Sequence, residues 1–145
     1  MVTIEPTRDR FTRNYLIFLG VLGGLLLAWW LPTLDPRVWG LNDQLATDPE
    51  LAVYSYRFRV QSIDNGVARV YSPRSTRIPA LRFLAIVEPR LRGRHANDPQ
   101  VIAAQRKLGK VQGRAREIVL FHPGVSRLVW VEDIDWYARR GIVIP

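Results

Sequence analysis

The sequence predicts an α+β protein: one N-terminal transmembrane helix, then a small domain in which an antiparallel sheet packs on a long helix. Three observations carry this. Residues Tyr15 to Leu31, YLIFLGVLGGLLLAWWL, run without a charge or strongly polar group. Residues 54–71 alternate apolar and polar side chains around an Asn-Gly pair, and residues 99–121 repeat apolar side chains at helical spacing.

The apolar run comes first. As a helix it would extend roughly 26 Å, close to the ~30 Å hydrocarbon core of a bilayer. Gly20, Gly23 and Gly24 weaken a helix in water but are tolerated in lipid. No small-residue cleavage site follows, because the run ends in Ala28, Trp29, Trp30, Leu31 and Pro32. An uncleaved anchor is therefore expected, rather than a signal peptide. Trp29 and Trp30 suit one membrane–water interface and Tyr15 the other, since their rings have apolar bodies and polar tips. Gly20-x-x-x-Gly24 fits either a lipid-facing surface or a helix-pairing contact with a second copy of the chain.

The flanking charges give the run a direction. Arg8, Arg10 and Arg13 precede it, whereas residues 32–50 carry Arg37 against Asp35, Asp43, Asp48 and Glu50. The positive-inside rule then places the N-terminus in the cytoplasm. The expected organisation is a cytoplasmic basic tail (1–14), a transmembrane helix (15–31), a linker (32–50) and an extracytoplasmic α+β domain (51–145). In a bacterium this means the inner membrane and the periplasm. The linker assignment rests on three prolines, Gly40 and Asn42-Asp43, all poor partners for regular structure.

Within the domain, Tyr54, Tyr56, Phe58 and Val60 alternate with Ser55, Arg57, Arg59 and Gln61, the period of a half-buried strand. Asn65-Gly66 favours the type I′ turn that joins such a strand to Val67–Tyr71. Residues 78–87, IPALRFLAIV, fit either a short buried helix beginning near Pro79 or a strand broken by it. A basic loop follows, with Arg90, Arg92 and Arg94 around Gly93. Asn97 or Asp98 before Pro99 forms a helix start. Ala104, Leu108, Val111, Ala115, Ile118 and His122 then mark one face of a long helix that Pro123-Gly124 ends; the rival reading stops the helix near Arg116 and makes Ile118–Phe121 a strand. Val125–Val131 alternates as a strand. Glu132–Gly141 has acids first, arginines last and a terminal glycine, which is the charge order of a short helix. Ile142–Ile144 offers a final edge strand.

The chain has 145 residues, no cysteine and a formal charge of +8. Residues 51–145 hold seventeen basic against seven acidic side chains, and nineteen of the chain's twenty-one basic residues are arginine. Arginine binds carboxylate and phosphate in bidentate fashion, so a basic face is a natural partner for anions. An arginine-rich codon usage accounts equally for scattered arginines.

The chemistry-bearing residues are few. Glu132, Asp133 and Asp135 lie where acids cap a helix, and no calcium loop follows them. His95 and His122 are the only histidines, one of them in a basic loop that opposes cation binding. There is no G-x-S-x-G elbow, phosphate loop or dinucleotide glycine pattern. No catalytic residue, metal or cofactor is expected. The candidate interaction surface is Arg57, Arg59 and Arg69 on the polar side of the hairpin, with Arg90, Arg92 and Arg94. The rings and arginines of the hairpin fall on opposite faces, which argues against a nucleic-acid platform.

IDNGVARV and HPGVSRLVWV locally resemble half of small αβ modules such as BON domains, where a hairpin is followed by a helix and a Gly-Val leading into a strand. The likeness covers about half the domain and residues 73–97 interrupt it, so no family is drawn from it. It would imply an envelope binding module rather than a catalyst. The function expected is that of a non-catalytic, single-pass accessory or structural component of a bacterial envelope complex, acting through protein–protein contacts of a periplasmic domain. The alternative is a periplasmic binding module for anionic lipid or polymer.

Overall fold

The structure is a computed structural model that describes residues 7–31 and 34–145. It divides into two compact units, residues 1–35 and 36–145.

The first unit is helix α1 (Thr7–Trp30). Its stretch Arg10–Trp30 is long and apolar enough to cross a membrane, and none of it is buried in the protein. Such a helix is compatible with a membrane anchor. It begins well before the expected span, so Arg10 and Arg13 of the basic tail are helical. Tyr15, Trp29 and Trp30 are all exposed, as are the apolar residues between them. Apart from adjoining residues and the helix's own backbone, none of the described residues stands within 4 Å of a Cβ placed at Gly20 or Gly24. Residues 1–6 of the tail, and residues 32 and 33 of the expected linker, lie outside the described residues.

The second unit is α+β, and it begins earlier than the sequence predicted. Residues 36–52 form two helices, α2 (Pro36–Thr47) and α3 (Pro49–Ala52), in place of the expected linker. Leu41, Leu45 and Leu51 are buried in the main core. Pro36 and Pro49 begin these helices, because a first-turn proline loses no intrahelical hydrogen bond. Asp48 caps α3 by accepting from the backbone N–H of Glu50 (3.1 Å) and Leu51 (3.2 Å).

The hairpin is β1 (Val60–Asp64) and β2 (Val67–Ser72), paired antiparallel. Asn65 and Gly66 both have positive φ (49° and 76°), as a type I′ turn requires. Residues 54–59 lie before β1 and are not strand, yet Tyr54, Tyr56 and Phe58 are buried while Ser55 and Arg57 are exposed. The predicted alternation of faces thus holds without the ladder. Asn42 of α2 grips Val60 through both ends of its amide, accepting from the Val60 N–H (2.7 Å) and donating to its carbonyl (3.2 Å). This occupies the outer edge of β1 at that residue.

The chain continues through α4 (Ala80–Val87), a 3₁₀ turn (Pro89–Leu91), α5 (Pro99–Phe121), β3 (Arg127–Glu132) and α6 (Ile134–Ala138). Residues 80–87 resolve the open alternative as helix, with Pro79 at its N-cap. Helix α5 has the predicted bounds, and Asp98 caps it by accepting from the Gln100 N–H at 2.8 Å. Its buried face is Val101, Ala104, Leu108, Val111, Gln112, Ala115 and Val119. The sheet order is β1-β2-β3, with β3 parallel to β2 in the register Val67↔Arg127 to Ser72↔Glu132. The sheet is therefore mixed, not wholly antiparallel. The long connection carrying α4 and α5 is what permits a parallel return. No strand forms at 142–144. There the Ile142 N–H donates to the Tyr137 carbonyl (3.1 Å), and Gly141 at φ 70° turns the chain off α6.

Candidate anion-binding site

The site begins with one buried carboxylate. Asp133 sits between β3 and α6 and is 1% exposed. Its Oδ1 accepts the Trp136 N–H (3.1 Å), which starts α6 as the acid-first pattern predicted. Its Oδ2 accepts the Tyr56 hydroxyl (2.8 Å) and an Arg59 guanidinium N–H (3.0 Å). Burial first, and then the neighbouring Asp133 charge, push the Tyr56 hydroxyl far above the usual phenol range, so it stays a donor. The Tyr56 ring meets Phe58, Phe83 and Trp136 edge-on at 5.0–5.9 Å. Asp133 thus joins the chain before β1 to the chain after β3.

Above this joint lies a cavity of about 360 Å³ lined by Ser55, Arg57, Arg59, Asp133, Trp136, Arg139 and Arg140. Two of the arginines are held on aromatic faces. Arg140 lies 3.7 Å from the Trp136 ring centroid and donates to the Trp136 carbonyl (3.0 Å). Arg59 lies 4.8 Å from the Tyr71 ring centroid while bound to Asp133. Stacking fixes a guanidinium plane without neutralising it. Among the described residues, Arg57 and Arg139 have no ion-pair partner. Four arginines line the cavity with one carboxylate, which leaves it a surplus of positive charge.

The structure treats the six arginines singled out from sequence in three ways. Arg57 and Arg59 line the cavity. Arg69 is exposed on β2, on the face opposite buried Ala68 and Val70 and two residues from Tyr71. Arg90, Arg92 and Arg94 are engaged in their own loop. Arg90 donates twice to Glu88 (3.1 and 2.7 Å), Arg94 to Asp98 (2.8 Å) and Arg92 to the Ala85 carbonyl (3.2 Å). Two of those three charges are therefore neutralised where the sequence implied an open positive patch. Arg139 and Arg140 escaped the sequence reading. In the sequence they fit the dipole of α6, and only the fold brings them to Arg57.

Other polar groups serve the fold. Asp48 accepts from Arg114 at 3.0 and 2.8 Å, and these bonds hold its carboxyl below the usual range against the effect of burial. Arg77 bridges Glu132 and the carbonyl of Pro145. His122 closes α5, and His95 is exposed in the basic loop. Among the described residues, no three His, Asp or Glu side chains gather as a metal site would require.

Comparison with protein-family models, with curated proteins and with solved structures finds no match for this chain. The local likeness to BON modules accordingly assigns no family.

Proposed function

We propose that this protein is a membrane-anchored, non-catalytic component of a bacterial envelope assembly, and that its folded unit holds an acidic segment of a partner protein. In this reading α1 crosses the inner membrane with the N-terminus in the cytoplasm, and residues 36–145 lie in the periplasm. The observation that carries the reading is the arginine cavity, in which two guanidiniums are pre-set on rings and three, among the described residues, are without counter-ions. Concavity supports a compact acidic group over a flat membrane surface. The alternative occupants, anionic lipid headgroups or an anionic polymer, draw support from the anchor, which would keep the folded unit near such surfaces.

The test is a photo-crosslinking amino acid placed at Ser55 in the full-length protein in cells. Crosslinks to an acidic stretch of one envelope protein are expected, and Arg57→Gln with Arg139→Gln should abolish them. Crosslinks to lipid or glycan alone would replace this reading with the alternative. A reporter fused after Pro145 should give a periplasmic signal, and a cytoplasmic one would overturn the topology.

A further inference from the structure

A second cavity, of about 540 Å³, is lined by helix α5 (Gly109, Gln112, Gly113, Arg116), by Trp130 of β3 and by the segment from Ser72 to Ala80. It shares no residue with the arginine cavity.

Two features of it have no internal explanation. The first is the glycine pair. Gly109 and Gly113 lie one turn apart inside a 23-residue helix, where glycine is unfavourable relative to alanine. Apart from adjoining residues and the helix's own backbone, no atom of the described residues lies within 4 Å of a Cβ placed at either position. Internal packing therefore does not require glycine, and the bare backbone faces the cavity. The second is Gln112. It lines the same cavity, it is 7% exposed, and among the described residues its Oε1 has no hydrogen-bond partner. The amide orientation follows from its neighbour. The Ser72 hydroxyl spends its one proton on the Arg74 carbonyl (2.9 Å), so Gln112 must present Nε2 to Ser72 (3.2 Å). That leaves Oε1 as a buried acceptor without a donor, an arrangement proteins generally avoid.

We infer that this cavity is a binding site for the free C-terminus of a polypeptide. The occupant must supply a donor for Gln112, a negative charge for Arg74 and Arg116, and a profile slender enough to press on bare helix. A terminal peptide residue carries an N–H and a carboxylate on one Cα, with a side chain left to meet Trp130 and Ile78. Oε1 is shut from solvent in this conformation, so the Gln112 side chain has to turn toward the groove for a donor to reach it. The missing side chains at 109 and 113 leave that approach open. Capture of a terminal carboxylate together with a backbone N–H is an established mode of peptide recognition.

The test uses the full-length protein in uncharged detergent micelles and acetyl-Ala-Ala-Ala with a free carboxylate as probe. Nitrogen-15 spectra followed to about 10 mM peptide would nearly saturate even a millimolar complex. The shifts should fall on Gly109, Gly113 and the Gln112 side-chain amide. The same peptide with a C-terminal amide should bind at least ten-fold more weakly. Gly113→Ala, which meets open space and keeps the fold, should also weaken binding at least ten-fold, and Arg57→Gln should leave it unchanged. Absence of shifts, equal binding of acid and amide, or wild-type binding by Gly113→Ala would each overturn the assignment.

Discussion

Replacing Asp133 with alanine tests the joint on which the arginine cavity stands. The carboxylate accepts three hydrogen bonds, and each loss can be weighed separately. The Tyr56 hydroxyl is fully buried and would be left without an acceptor, at a cost of about 1–3 kcal/mol. The Trp136 N–H would lose its cap, costing about 1 kcal/mol. The Arg59 side chain is 43% exposed and can turn to water, so its share is at most about 1 kcal/mol. Asp133→Ala should therefore destabilise the folded unit by roughly 2–5 kcal/mol, a large part of the 5–15 kcal/mol typical of a domain. Tyr56→Phe leaves the other two bonds in place and should cost about 1 kcal/mol. Adding it to Asp133→Ala should cost little more, because the orphaned hydroxyl is then gone. The assay is urea unfolding of the full chain in uncharged detergent, followed by near-ultraviolet circular dichroism. That signal reports the packed rings of Tyr56, Phe83, Trp136 and Tyr137. A loss below 1 kcal/mol for Asp133→Ala, or simple additivity with Tyr56→Phe, would refute the joint.

Three further outcomes follow from the packing. Asp48 has its carboxyl lowered in the folded state by Arg114, so its contribution is present above about pH 4 and lost as pH falls below it; Asp48→Asn should flatten the stability–pH profile there, as measured by acid titration of unfolding. Gly66→Ala should destabilise by about 1–2 kcal/mol, because a Cβ at φ 76° would stand 2.9 Å from the Ser126 hydroxyl and strain a left-handed turn position. Gly109→Ala should raise stability by about 0.5–1 kcal/mol, since it fills open space on a helix, and the thermal midpoint should rise accordingly.

Local grammar was legible and long-range closure was not. Asn65-Gly66 identifies its turn because only a few residues tolerate two successive positive φ values. Asp98-Pro99 and Pro123-Gly124 bound α5 because caps and breakers act within a few residues. The same local rule misled at residues 36–49, where prolines read as breakers are helix starts. The buried spacing of Leu41 and Leu45 was the available sign of α2. The alternation of β3 announces a strand but carries neither its neighbour nor its direction, so the parallel pairing had to come from the fold. The cavity divides in the same way. Arg57 and Arg59 stand out on the polar side of an alternating segment, whereas Arg139 and Arg140 satisfied a helix-dipole pattern and gave no further signal. Asp133 and the Tyr56–Trp136 ring contact connect the two pairs, across more than seventy residues.

The parallel junction of β2 with β3 also sets an order of assembly. Residues 67 and 127 must meet across sixty positions of chain, so the strand that completes the sheet faces a larger closure cost than the hairpin does. The hairpin and α5 can form from nearby residues while β3 and α6 are still undocked. The two halves of the arginine cavity lie on either side of this late step. Anion affinity would then be absent from partly folded chains and appear together with the last strand. In a refolding experiment it would serve as a kinetic marker that the sheet has closed.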